Sequence, residues 1–368
     1  MTAVHQSVTS VQTLAGVEND RSNNFDFLRF VMASLVLSYH CYPLLYGGAA
    51  ARGGKLEEAA SLAAGAAVDF FFVISGFLVT QSWLRTPQAG QFLKKRLLRI
   101  YPAFILVSLF CALVIGPLGA ANATEYFRSI HPAGFVVYML LLVGPYLPPV
   151  FLHLPFSGQV DGSFWTLRYE FECYLIVMLL GLLGLLRHPA FVLACFLAAA
   201  LVTLSAILGH PLPIPDRDMH LIGNPIQWCR LALCFLSGMT FLLYRDKIPY
   251  SRPLLIIALA GIGLGADFGN WWGLAVPTFG AYLLFWTAFR PVSALAHFAK
   301  HGDFSYGVYL FAYPVQQTLI CYFQPHLTPS RLLCLAYPMT LLLAVLSWHF
   351  VEKPALRFKK GAAQVQRT

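Results

Sequence analysis

Charged side chains are scarce in this chain. Asp, Glu, Lys and Arg make up 11% of its 368 residues, whereas 58% are hydrophobic, and the mean hydropathy is +0.65. A soluble domain carries about 25% charged residues, because polar groups must cover most of its surface. The composition therefore excludes an ordinary soluble domain and predicts an all-α, polytopic membrane protein.

Closely spaced cysteine pairs are absent. None of the eight cysteines belongs to a CxxC motif. They are Cys41, Cys111, Cys173, Cys195, Cys229, Cys234, Cys321 and Cys334. Structural zinc sites and disulfide frameworks usually show such pairs. We therefore expect free thiols in apolar surroundings, and no metal site.

The beginning of the chain lacks the apolar core of a cleaved signal peptide, since residues 1–24 are polar. We expect a polar cytoplasmic segment at 1–24, one transmembrane domain at 25–352 and a basic cytoplasmic tail at 353–368. No internal repeat of fixed period is evident, so a transporter built from duplicated halves has no support from this pattern.

Positive charge is concentrated in short segments between apolar runs, and the net charge is +9. Residues 85–99 contain five basic side chains and no acidic one. Cytoplasmic loops of membrane proteins carry this excess, so the segment should face the cytoplasm and nucleic acid is not implied as a partner. The pattern predicts about ten transmembrane helices in the plasma (inner) membrane, with both termini cytoplasmic.

Two segments interrupt the series of apolar runs. Residues 47–65 are rich in Gly and Ala with mixed charge, and we expect a loop there. Residues 131–160 contain several prolines and do not fit a simple crossing. They are predicted to form a re-entrant or outer-surface element whose broken backbone is covered by protein.

The first apolar run, Phe25 to Tyr46, contains Arg29 and His40. An offset of eleven residues is three helical turns plus about 20°, so both side chains leave one helix face, about 16 Å apart along the axis. Ionisable groups inside a membrane span usually serve a function. Two alternatives stay open: Asp26 could simply neutralise Arg29, and His40 could be a packed or hydrogen-bonded histidine.

Six segments, in order, resemble signatures of the acyltransferase-3 family of integral-membrane acyltransferases. The pair Arg29 and His40 has the spacing of that family's first-helix motif. The other five are VDFFFVISGFL (68–78), KKRLLRIYPAF (94–104), SFWTLRYEFECY (163–174), YGVYLFAYPV (306–315) and FVEKPA (350–355). Ala312 stands where many members carry histidine. We expect a stand-alone member without the SGNH-type hydrolase-like domain that some relatives append.

The resemblance implies an O-acetyltransferase of cell-envelope polysaccharide. An acyl group, usually acetyl, would pass from cytoplasmic acetyl-CoA to a hydroxyl of an extracytoplasmic glycan or glycolipid. The partners implied are acyl-CoA, a carbohydrate or glycolipid acceptor and membrane lipids. A transporter or flippase for a glycan or lipid-linked sugar is the alternative, and Ala312 keeps an inactive or sensory relative open as a third.

Three residues are candidates for the chemistry. A neutral imidazole can take the proton of an attacking hydroxyl, and His40 is the candidate base. Glu170 could orient that imidazole, as the acid of a catalytic triad does, or could instead pair with Arg168 or cap its helix. Arg29 would anchor the donor from the cytoplasmic side.

Further residues are candidates for binding. With Arg29, Arg96 and Arg99 could grip the donor phosphates, since guanidinium groups bind phosphate well, or they could only set the topology. Three others, Asp69, Trp165 and Tyr169, are candidates for binding the acceptor. Alternatively, Asp69 occupies a helix N-terminus and the two aromatic residues belong to an interfacial belt.

Overall fold

The computed structural model describes residues 12–18, 23–47, 55–217, 223–290, 292, 295, 298–300 and 302–358. Within these ranges the regular secondary structure is helical, and an isolated β-bridge joins Thr13 and Pro249. The all-α prediction is confirmed. Most of the predicted polar N-terminal segment and of the basic tail, including Lys359, Lys360 and Arg367, lies outside the described residues.

The described chain contains eleven helices of nine or more residues. One is the short helix Pro132–Leu140, and the other ten carry the main architecture. They are α1 (Phe25–His40), α2 (Lys55–Arg85), α3 (Ala89–Phe110), α4 (Trp165–Leu182), α5 (Pro189–Ile207), α6 (Pro225–Leu243), α7 (Arg252–Asp267), α8 (Ala281–Phe289), α9 (Ser305–Phe323) and α10 (Pro329–Ser347). Short helical or π-helical turns extend α3 to Gly119, α8 back to Gly269 and α10 to Arg357.

Seven helical stretches in the described ranges are long and apolar enough to cross a membrane. They include α1, α2, α5 and α6 together with the extended forms of α3, α8 and α10. The remaining three pack among them: α4 contacts α2 and α3, α7 contacts α8, and α9 lies between α1 and α10. The chain is therefore a polytopic membrane protein, as predicted.

Helix α2 packs on α6 through two glycines. A Cβ atom at Gly76 would lie 2.0 Å from the carbonyl oxygen of Phe235, and one at Gly238 would lie 2.0 Å from that of Val73. Small residues of this kind let helix backbones approach closely in a membrane protein. The approach fixes α2 in the interior, where its Phe77 meets Phe25 and Phe285.

We expect Gly76→Ala to destabilise the protein, because the new methyl group would collide with backbone that cannot rotate away. Overpacking of this kind costs about 1–3 kcal/mol or more. Heating the detergent-solubilised protein and measuring the remaining monodisperse fraction would report the loss. Gly90→Ala is the matched control, since nothing lies within 4 Å of a Cβ atom there. Equal losses in both variants would contradict this steric account.

The loop predicted for residues 47–65 is wrong over its second half, because α2 begins at Lys55. Residues 55–67 are rich in Ala, Leu, Glu and Lys, which favour helix, and their propensity outweighs the single glycine. One consequence concerns Asp69, which lies fourteen residues after the start of α2. It therefore does not occupy a helix N-terminus.

Residues 131–160 do not form a continuous helical crossing, in agreement with the prediction. Helix Pro132–Leu140 has nine residues and is about 14 Å long, which is too short to span a bilayer. Residues 141–164, called the 141–164 segment below, have no further α-helix. Leu142 and Phe151 adopt φ of 56° there and are 1% and 0% exposed, so protein covers the irregular backbone at these two positions.

Candidate active site

A cavity of about 460 Å³ opens between α1, α2, α3, α4 and α9. We call it the main cavity. Along α2 its wall runs from Val68 to Val79, a rise of about 16 Å. Apolar and aromatic side chains form much of the lining, while arginines and carboxylates supply the charge. A partly polar space of this length suits an elongated ligand with a charged end.

Three guanidinium groups line the main cavity: Arg29 from α1, and Arg96 and Arg99 from α3. We call this part the arginine end. Asp26 forms only a weak ion pair with Arg29, because their closest atoms are 3.7 Å apart and the Asp26 side chain is 48% exposed. The alternative that Asp26 neutralises Arg29 is therefore met only in part. The structure therefore brings all three predicted donor-binding arginines to one cavity.

Arg96 is held by aromatic rings rather than by an acid. Its guanidinium carbon lies 5.5 Å from the ring centre of Tyr174 and 5.7 Å from that of Phe92. One terminal nitrogen donates to Ser82 Oγ at 3.4 Å, and the buried Nε has no hydrogen-bond partner among the described residues. No described carboxylate lies within ion-pairing distance of this cation, so it can attract an anion into the cavity.

Arg99 forms a close ion pair with Asp303, at 2.6 Å. The other Asp303 oxygen accepts hydrogen bonds from the amide and hydroxyl of Ser305, at 3.2 and 2.5 Å, at the start of α9. Burial alone would raise the pKa of Asp303, but the Arg99 and Arg29 guanidinium groups and the hydrogen bond from Ser305 together more than offset it and lower that pKa. Asp303 thus stays ionised and fixes Arg99 in the cavity wall.

Glu170 also lines the main cavity. Its Oε1 accepts a short hydrogen bond from the Tyr174 hydroxyl and a longer one, at 3.4 Å, from Ser75 Oγ. Arg168 pairs instead with Glu172 at 3.0 Å, so the alternative pairing of Glu170 with Arg168 is not formed. Glu170 contacts the aromatic residue beside Arg96, and the structure does not bring it to His40.

His40 is the last residue of α1 and is not part of the main cavity wall. Its imidazole meets the ring of Tyr313 edge-on, with centroids 5.9 Å apart. Tyr313 lies one turn of α9 beyond Tyr309, which does line the main cavity. Arg29 and His40 therefore share α1 as predicted, but about one turn of α9 separates His40 from the cavity that contains Arg29.

Tyr309 is the residue of the main cavity wall that lies one turn of α9 from Tyr313, the neighbour of His40. Its hydroxyl donates to the Ser163 carbonyl oxygen at 3.0 Å and lies 2.9 Å from Thr166 Oγ1. These contacts join α9 to the start of α4, and Thr166 also lines the cavity. A ligand that extends from the arginine end toward His40 would have to displace this contact.

The three residues predicted to bind the acceptor lie outside the main cavity. Asp69, 3% exposed, forms an ion pair with Arg230 at 3.0 Å. The Tyr169 hydroxyl accepts from the backbone amide of Asn224 at 2.7 Å. Trp165 is 39% exposed and lies beside Tyr169. These contacts attach α2 and α4 to α6, and an acceptor role for the three residues stays a prediction.

Sequence reasoning missed Asp303, Tyr174, Tyr309 and Tyr313. The two α9 tyrosines are four residues apart within YGVYLFAYPV, a spacing that places them on one helix face and could have identified them. Ala312, beside Tyr313, is 2% exposed and packs against Ala33 and Leu37 of α1. Position 312 therefore contributes packing rather than a polar group.

All eight cysteines are free. Among the residues that the structure describes, no group of three His, Cys, Asp or Glu side chains is arranged to hold a metal ion.

Comparison with known proteins finds one family model and several relatives. A family model described as "Acyltransferase domain" matches residues 22–349. An "O-acetyl transferase" of Shigella phage Sf6 is 30% identical over 349 residues, which cover 90% of this chain and 96% of that protein. "Nodulation protein 10" of Rhizobium leguminosarum bv. viciae is 28% identical, over 94% of this chain and 97% of that protein.

A third relative, "O-acetyltransferase OatA" of Staphylococcus aureus, is 26% identical over 326 residues, which cover 80% of this chain and 52% of that protein. No solved structure matches the chain.

Proposed function

This chain belongs to the acyltransferase-3 family of integral-membrane acyltransferases, and from that premise we propose that it moves an acetyl group from cytoplasmic acetyl-CoA to a hydroxyl of an extracytoplasmic glycan or glycolipid. Similarity along nearly the whole chain to a protein named as an O-acetyl transferase supports the reaction type. The observation that carries the proposal is the main cavity, with three guanidinium groups at one end.

The donor would bind with its phosphates at the arginine end. Coenzyme A carries several phosphate charges, and its pantetheine arm is about as long as half a bilayer, comparable with the cavity wall along α2. Arg96 has no acidic partner among the described residues, so a phosphate would be its counter-ion. Such charge-assisted hydrogen bonds are short and strong.

His40 would act as general base on the acceptor hydroxyl. Attack of the hydroxyl oxygen on the thioester carbonyl forms the new C–O bond and breaks the C–S bond. His40 takes the hydroxyl proton, and the coenzyme leaves as thiolate and then takes up a proton. For this the acyl end must pass Tyr309, so the contact between Tyr309 and Thr166 would open when the donor is bound.

Glu170 would serve the donor side. It accepts a hydrogen bond from Tyr174, whose ring lies against the Arg96 guanidinium. This chain of contacts supports Glu170 as a positioning residue for Arg96, through Tyr174, in place of the contact with His40 that sequence reasoning suggested.

We expect acetyl-CoA to stabilise the purified protein against heat. A ligand that binds only the folded state adds about 2.7 kcal/mol at a concentration of 100 Kd, and pantetheine, which lacks the nucleotide, should add much less. Differential scanning fluorimetry in detergent measures the shift. A carrier for a glycan or lipid-linked sugar should not respond to acetyl-CoA.

The matching experiment in cells is mass spectrometry of surface glycans with and without the gene. Loss of an acetyl ester on deletion is the expected result. Identical glycans, together with no stabilisation by acetyl-CoA, would overturn the proposed function.

A further inference from the structure

A second cavity, of about 520 Å³, lies within the 141–164 segment and beside the short helix that precedes it. Its walls include Tyr138, Tyr146, Gln159 and Asp161. Of these four side chains, none was singled out from the sequence, and none lines the main cavity. The second cavity is therefore separate from the main cavity at these four residues.

Tyr313 connects this cavity to His40. The Tyr313 hydroxyl donates to Gln159 Oε1 at 3.3 Å, while its ring forms the T-shaped pair with the His40 imidazole. Gly162 leaves room for that ring, because a Cβ atom at Gly162 would lie 2.6 Å from Tyr313 Cε2. The Tyr313 side chain would thus lie between a ligand in the second cavity and His40, the candidate base.

Asp161 lines the second cavity, and only one of its two carboxylate oxygens is hydrogen-bonded within the described part of the chain. Its Oδ1 accepts from the amide and the hydroxyl of Ser163, both at 2.7 Å. Its Oδ2 is buried and has no hydrogen-bond partner among the described residues. Burial raises the pKa of Asp161 to about 7, and the two bonds from Ser163 offset only part of that rise. A buried, unmatched carboxylate oxygen is costly, and a hydroxyl-bearing ligand would satisfy it.

Aromatic faces supply the remaining recognition surface. The rings of Tyr138 and Tyr146 lie 5.3 Å apart at 44° and are 36% and 51% exposed. Aromatic side chains with one wet end combine apolar contact area with a hydrogen-bonding tip. Such faces, together with a carboxylate and an amide, match the chemistry of a sugar ring, which has apolar C–H faces and hydroxyl edges.

The backbone around the cavity is held in a strained conformation. Leu142 and Phe151 have φ of 56°, which side-chain-bearing residues rarely adopt. Phe151 donates its amide to Gly119, and Gly158 donates to Val150, at 2.9 and 2.8 Å. Strain of this kind persists only where packing enforces it, and it is concentrated at binding and catalytic sites. The cavity is thus pre-organised by buried anchors.

We propose that the second cavity binds a carbohydrate ring of the acceptor, with Asp161 and Gln159 on its hydroxyl groups and Tyr138 and Tyr146 against its faces. The inference rests on the proposed function, because it gives that reaction's acceptor a place next to His40. The hydroxyl to be esterified then approaches His40 past Tyr313, opposite the arginine end.

The test compares Asp161→Asn, Tyr146→Ala and a control, Phe268→Ala, which removes an aromatic side chain that is 67% exposed at the end of α7. The probe is the un-esterified envelope glycan of cells lacking the gene, cut to oligosaccharides. We expect KM for the oligosaccharides to rise about tenfold in the first two variants, as for one lost hydrogen bond or ring contact. Stabilisation by acetyl-CoA should be retained, and the control should match wild type.

A binding assay separates the two proposals. Stabilisation of wild type by the oligosaccharides without acetyl-CoA, lost in the Asp161 and Tyr146 variants, would support the cavity even if no ester formed, and only the proposed function would then fail. Wild-type KM and wild-type binding in both variants would overturn the cavity assignment while leaving the enzyme intact. If Asp161→Asn does not fold, Tyr146→Ala decides, because its side chain is half exposed.

Discussion

Replacing His40 with alanine should lower acetyl transfer by about 10²- to 10⁴-fold, the usual contribution of a positioned general base. In the proposed mechanism, the imidazole takes the proton of the hydroxyl that approaches past Tyr313. Stabilisation by acetyl-CoA should be unchanged, because His40 does not line the main cavity. Turnover of purified protein in proteoliposomes, with labelled acetyl-CoA and glycan acceptor, is the measurement.

A matched control for this variant is His153→Ala. His153 is exposed, and its one side-chain hydrogen-bond partner among the described residues is the thiol of Cys321, at 3.6 Å. It should keep wild-type turnover. Undiminished transfer in His40→Ala would remove His40 from the mechanism. Loss of acetyl-CoA stabilisation together with transfer would instead show that His40 supports the fold.

Several features of this site follow from the sequence because simple rules determine them. Helical periodicity places Arg29 and His40 on one face of α1, and the same rule places Arg96 and Arg99 together on α3. The excess of positive charge in residues 85–99 predicts that the arginines of α3 lie at the cytoplasmic end of that helix. The structure accordingly lines one cavity with the arginines of α1 and α3.

Other features depend on contacts between distant segments, which neither periodicity nor charge encodes. Asp69 has its partner, Arg230, 161 residues away, so its ion pair could not be read from the neighbourhood of α2. The same applies to Asp303, which holds Arg99 from 204 residues away. The fold of the 141–164 segment is set by positive-φ residues and buried anchors, for which apolar patterning gives no signal.

Replacing Arg96 with methionine should weaken binding of acetyl-CoA by about 10- to 150-fold. A hydrogen bond to a charged group contributes about 1.5–3 kcal/mol, and 1.4 kcal/mol is a factor of ten in affinity. Methionine keeps the apolar contact with Tyr174 and Phe92, so the fold should be preserved. Thermal-shift titration with acetyl-CoA gives the affinity, and the increase in KM for the donor should match it.

The contrast with Arg99→Met separates phosphate binding from structural pairing. Removing Arg99 leaves the largely buried Asp303 without its close cation, and breaking a fully buried pair costs about 3–5 kcal/mol, an upper limit for this one. That variant should therefore lose stability even without ligand, whereas Arg96→Met should not. The control for general positive charge is Arg187→Met, since Arg187 is exposed at the end of α4. If Arg187→Met weakens donor binding as much as Arg96→Met, the arginines act only as a diffuse positive surface and the arginine end is not a phosphate site.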